Sequence, residues 1–99
     1  MKSYRELAME DLRLVLLRVL AEAPGYEANS FILAGAAEEF GHHVSTDLLR
    51  TELTWLAEQG LVSVKTLAAV QVASLSPRGL DVAKGNASIP GVKRPAPGG

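Results

Sequence analysis

The sequence predicts an α+β fold that is mainly α: three helices, a β-hairpin and a short closing helix. Three observations carry that reading. Apolar residues recur at helical spacing in stretches bounded by capping and breaking residues, two β-branched runs follow Gly60, and Ser76-Pro77 marks the start of a last helix. At 99 residues the chain has the size of one domain, with a core large enough to fold alone. With 47% apolar residues and a net charge of −1 it is neither a disordered polar chain nor an overtly basic nucleic-acid binder. The lack of cysteine excludes disulfides, thiolate metal sites and a cysteine nucleophile, and it fits a reducing compartment, so a cytoplasmic location is expected. The opening "MKSYRELAMED" carries acidic residues where a signal peptide needs an apolar core, and no run approaches the roughly 18 apolar residues of a membrane span. The expected chain is neither exported nor membrane-spanning.

Ser3 and Glu6 have capping-box spacing, so the first helix should begin there and run to about Ala23, where Pro24 and Gly25 break it. Ala8, Met9, Leu12, Val15, Leu16, Val19 and Leu20 share a broad apolar face that should bury. A second, narrower stripe of Leu7, Leu14, Leu17 and Ala21 runs between Glu6, Glu10, Arg13 and Arg18, with Leu7, Leu14 and Ala21 in heptad register. Either the tail or the last helix covers this stripe, or it meets its own copy in a homodimer. The homodimer is the favoured expectation.

Asn29 is a good N-cap for a second helix that carries Phe31, Ile32, Ala36 and Phe40 inward and ends at Gly41. "GHHVS" is a tight connection, and Ser45 caps a third helix reaching Gln59, with Gly60 beyond its end. Two helices joined through a glycine-containing turn form a helix-turn-helix candidate. In the third helix Leu49, Leu53 and Leu56 share one face, flanked by Leu48 and Trp55, while Thr46, Asp47, Arg50, Thr51, Thr54 and Glu58 point elsewhere. "LVSVKTL" and "VQVASL" read as strands of a hairpin closing near Ala68 and Ala69, without the Asn-Gly signal that would fix the turn geometry. Ser76 as N-cap and Pro77 at the first helical position begin a closing helix to about Lys84. The domain is thus expected to span residues 1–84, and residues 85–99, rich in glycine and proline, to form a flexible basic tail.

The run "LTWLAEQGLVSV", followed after a short hairpin by "ASLSPRGLDVA", resembles the signature of winged helix-turn-helix domains. Leu53, Leu56, Gly60, Leu61, Val62, Leu75, Ser76 and Gly79 carry the match. More narrowly, "EDLRLVLLRVLAEAPGYEAN", "LAEQGLV" and the tail "IPGVKRPAPG" are similar to small winged-helix proteins of Mu-like phages and prophages, related to the arsenic-repressor type of regulator. The resemblance spans nearly the whole chain, contains no catalytic or ligand signature, and bears on fold more directly than on function. It implies that the N-terminal half of the third helix enters the major groove of double-stranded DNA, which here means Ser45, Thr46, Arg50, Thr51 and Thr54. Arg50 suits bidentate contact with guanine, and the threonines suit bases, phosphates or a thymine methyl. In the hairpin, which would be the wing, Lys65 is the one basic residue.

Other readings of the same residues carry weight. The third helix holds Asp47, Glu52 and Glu58 beside one arginine. Residues 1–84 contain eight Lys and Arg against eleven Asp and Glu, and Lys93 and Arg94 place basic charge in the tail. A wing that follows a phosphate backbone is expected to carry more Lys or Arg than this one. Arg50 is read equally well as a surface partner of Asp47 or Glu58, Trp55 reads as core, and the adjacent His42 and His43 diverge too far to share a metal. No glycine-rich phosphate loop, activated nucleophile or paired carboxylates suggest an enzyme, and no metal or cofactor is expected. The leading expectation is a dimeric DNA-binding regulator of phage genes in the bacterial host cytoplasm. The alternative is a winged-helix module that binds a protein partner through its apolar hairpin tip and first helix.

Overall fold

The computed structural model describes residues 1–97. Ser3 and Glu6 close the capping box: the Ser3 hydroxyl accepts from the Glu6 amide at 3.2 Å, and the Ser3 amide donates to the Glu6 carboxylate at 3.3 Å. Helix α1, Tyr4–Glu22, therefore starts where the spacing predicts. It ends at Pro24, which opens a single 3-10 turn, Pro24–Tyr26, with Gly25 at φ +67°.

Next comes a short strand, β1 (Glu27–Asn29), which the sequence reading missed. Three residues carry no periodicity, and β1 exists because it pairs antiparallel with a strand more than forty residues away, Ala28 opposite Ala73. Asn29 then caps α2, Ser30–Glu39, accepting from the Ile32 amide at 2.9 Å. Helix α3, Thr46–Glu58, is capped by Ser45 as expected, and its chain turns away at Gly60, φ +76°. Strands β2 (Val62–Leu67) and β3 (Val70–Leu75) form the predicted hairpin, and the sheet order is β1-β3-β2, all antiparallel. Helix α4, Pro77–Lys84, is capped by Ser76 and closed by Gly85 at φ +82°. The architecture is α+β, with four α-helices and one three-stranded sheet among the described residues.

Leu12, Leu16, Leu20, Leu33, Leu53, Leu56 and Leu61 are fully buried, each burial stabilising the fold by roughly 1.5–3 kcal/mol. Ser76 and Gly79 show why the leucine-serine-proline-x-glycine run is needed. The Ser76 hydroxyl donates to the Gly60 carbonyl at 2.7 Å and accepts from the Gly79 amide at 2.9 Å, drawing α4 onto the end of α3. A Cβ at Gly79 would overlap the Leu61 carbonyl oxygen and come within 2.7 Å of the Leu75 side chain.

Three expectations are corrected. In α2 the buried residues are Leu33 and Ala37, whereas Phe31, Ile32 and Phe40 are 74%, 58% and 65% exposed. A helix apolar on every side has no periodicity to say which face docks, so tertiary contacts chose. The proposed dimer stripe is also divided: Leu14 and Leu17 are buried in the chain's own core, Ala21 is half-buried, and Leu7 is 53% exposed. Helix α4 packs along α1, and the segment beyond it passes Leu14, so the stripe is largely covered from within. The domain does not stop at residue 84. Ile89 and Val92 are buried, and the Lys93 amide donates to the Glu10 carbonyl at 3.2 Å. Residues 98–99 of the expected tail lie outside the described residues. The hairpin closes at Ala68 and Ala69 as expected, and its turn, whose geometry the sequence left open, holds them at φ +48° and +68°, the backbone that two-residue hairpins demand, without the glycine or asparagine that adopts it cheaply. Among the described residues no helix is long and apolar enough to cross a membrane.

Candidate nucleic-acid interface

Helix α3 presents two chemically distinct faces. Leu49, Leu53 and Leu56 are buried, and Thr46, Asp47, Arg50, Thr51, Thr54 and Glu58 are exposed, so the polar face read from the sequence is open. The Ser45 hydroxyl is engaged as the cap, accepting from the Leu48 amide at 3.0 Å. Thr51 donates its hydroxyl back to the Asp47 carbonyl at 2.9 Å, and this leaves its oxygen as an acceptor. Arg50 makes no ion pair among the described residues, with either Asp47 or Glu58. It stands between two depressions of the surface. One is shared with Thr51, Thr54, Trp55 and Glu58; the other lies between the starts of α2 and α3 and the hairpin turn.

The structure thus brings Thr46 and Arg50 together with the hairpin turn at Ala69. Lys65 does not join them. It sits on β2 opposite Val72 and is exposed, with its strand neighbours Val64 and Thr66 turned to the other face. Phe31, Ala34 and Gln71 border the groove and were not singled out by sequence reasoning, because Phe31 read as core and Gln71 as an ordinary strand residue.

The charge of α3 differs from its count along the chain. Glu52 is 4% exposed and turns away from the polar face, accepting from Arg13 Nε at 2.6 Å. The same guanidinium lies 4.0 Å from the centre of the Trp55 ring and donates through Nη1 to the Gly91 carbonyl at 2.9 Å. One acidic charge is therefore neutralised inside, leaving Asp47 and Glu58 beside Arg50 on the outer face. Arg13 also anchors α3 to α1, and Trp55 is half-buried core, as expected.

The turn before α3 is held from the same helix. His42 Nε2 lies 2.7 Å from Asp11 Oδ2, and Lys93 Nζ lies 3.2 Å from Asp11 Oδ1. Burial raises the Asp11 pKa, but the His42 hydrogen bond, with the hydrogen bond and charge of Lys93, outweighs it and holds the carboxyl below its ordinary value. His43 points outward, 3.8 Å from a Glu38 oxygen, so the two histidines diverge. Among the described residues no group of three or more His, Asp or Glu side chains gathers around a metal-sized site.

Over 92 residues the chain is 47% identical to the uncharacterized protein gp26 of Escherichia phage Mu, covering 93% of this chain and 95% of that protein. The chain belongs to the gp26 family. An uncharacterized protein of Haemophilus influenzae is similar too, 48% identical over 79 residues, covering 79% of this chain and 76% of its own length. No family model matches the chain, and no solved structure matches it. The gp26 relationship makes this a small phage-like protein.

Proposed function

We propose that this gp26-family chain is a winged-helix DNA-binding regulator of phage genes, acting in the bacterial cytoplasm as a homodimer. The observation that carries the reading is the open face of α3, with Arg50 making no ion pair among the described residues and Thr46, Thr51 and Thr54 beside it, while Glu52 is turned inward onto Arg13. It is supported by the order of elements, in which a helix-turn-helix is followed by an antiparallel hairpin whose returning strand is central in the sheet. In this reading α3 enters the major groove and the hairpin is the wing. Pairing of two chains would use the exposed end of α1, where Tyr4 and Leu7 are 87% and 53% exposed, and would spread the work of binding over two reading helices. No catalysis, metal or cofactor enters the proposal.

The test is fluorescence anisotropy with duplex fragments of the source genome at low and near-physiological salt. Binding should be saturable and salt-dependent, and Arg50→Ala should weaken it by about 1–3 kcal/mol, a loss of roughly 5- to 150-fold. A folded protein that binds no duplex at low salt overturns the proposal. A second reading, a winged-helix module that binds protein, is favoured by the exposure of Leu67 near the hairpin tip and of Phe31 beside the groove. It predicts neither salt-dependent duplex binding nor an Arg50 effect on it.

A further inference from the structure

The groove between α2, α3 and the hairpin turn has features that duplex binding does not use. It encloses about 140 Å3 and is lined by Phe31, Ala34, Thr46, Arg50, Ala69 and Gln71, among others, with apolar surface predominating. A cavity of ~150 Å3 accommodates a benzene ring, so one benzene-sized aromatic side chain fits. Phe31 stands on its wall with 74% of its surface exposed, although it is large and apolar.

Two polar groups restrict the occupant. Gln71, on the same strand face as the buried Ala73, has its side-chain oxygen Oε1 buried with no hydrogen-bond partner among the described residues. A buried acceptor without a donor is unfavourable, and an incoming N–H or O–H relieves it after a small turn about a soft terminal torsion. Arg50 is the one charged side chain lining the groove and has no ion pair among the described residues, so an adjacent carboxylate complements it. The hairpin turn adds an independent sign. Ala69 is kept at φ +68°, where alanine is rarely found, and it is one of the residues that line the groove.

We propose that this groove docks a segment of a partner protein presenting one benzene-sized aromatic side chain with an O–H donor, that is tyrosine, next to an acidic residue. The ring lies against Phe31 with its donor on Gln71, and the carboxylate pairs with Arg50. This dock stands apart from the duplex reading, but it shares Thr46 and Arg50 with it. If both hold, partner and duplex compete for the chain.

The test is a titration of the full 15N-labelled chain with the peptide N-acetyl-Asp-Tyr-Asp-amide, followed by two-dimensional NMR. An N-acetyl-Asp-Ala-Asp-amide control and a duplex titration are run on the same preparation. Saturable shifts are expected at the amides of Phe31, Ala34, Arg50 and Ala69 and at the Gln71 side-chain amide. Arg50→Ala should weaken binding about tenfold, and Ala34→Leu, which fills the recess, should abolish it. Three outcomes overturn the dock: no shifts at millimolar peptide, equal shifts from the alanine control, or shifts that persist in a folded Ala34→Leu variant. A chain that binds duplex but ignores the peptide loses the dock alone. One that binds the peptide but no duplex loses the regulator reading alone.

Discussion

Arg13 Nε lies 2.6 Å from Glu52 Oε1, and the two side chains are only 17% and 6% exposed. Thirty-nine residues apart, they join the first helix to the third, and Arg13 adds contacts with the Trp55 ring and the Gly91 carbonyl. Removing one partner leaves a buried charge unpaired. Arg13→Ala should therefore destabilise the chain by about 3–5 kcal/mol, and Arg13→Met with Glu52→Leu should recover most of that loss. Urea unfolding of the two variants checks it; equal losses in both would mean that shape, not charge, dominates the site.

Leu14 and Leu17 are core residues, 4% and 0% exposed, rather than a dimer surface. Leu14→Glu with Leu17→Glu should abolish cooperative unfolding instead of yielding folded monomers, because two carboxylates cannot be buried there without partners. Leu7→Glu, at an exposed position of the same stripe, should leave the fold intact. Circular dichroism melts separate the cases, and sedimentation of Leu7→Glu reports whether the exposed end of α1 joins two chains.

The turn at Ala68 and Ala69 holds two alanines in the left-handed region. Ala68→Asn with Ala69→Gly should stabilise the chain by about 1–2 kcal/mol, by removing a cost of roughly that size per residue, discounted for the freedom glycine gains in the unfolded chain. A rise in urea midpoint at constant slope is the expected result. The same change alters Ala69, which lines the groove, and should weaken binding of the tyrosine peptide.

Asp11 is held below its ordinary pKa by His42 and Lys93 against the opposing effect of burial. A depressed carboxyl contributes stability that is fully present above its unfolded-chain pKa of ~3.9 and lost as pH falls through the lower folded value. Wild type should therefore lose stability relative to Asp11→Asn on acidification through that window, the two curves converging in acid. Parallel curves in urea unfolding at successive pH values would show that Asp11 is not stabilised by its partners.

The sequence by itself determined the helix starts at Ser3, Asn29, Ser45 and Ser76, the stops at Pro24, Gly60 and Gly85, and the hairpin, because caps, breakers and β-branched runs act within a few residues of themselves. It also placed Thr46, Arg50, Thr51 and Thr54 on one polar face of α3, since helical spacing alone separates them from Leu49, Leu53 and Leu56. Only the tertiary structure decided the rest. Strand β1 requires β3 as a partner, and α2 is apolar on all sides and so turned Leu33 inward and Phe31 outward only when docked. The segment after Lys84, which composition marked as tail, gained order from Ile89 and Val92 entering the core and Gly91 meeting Arg13. Contacts between distant residues leave no periodic trace in the chain, so the inward turn of Glu52 and the groove beside Arg50 became visible only once α1, α3 and the hairpin stood together.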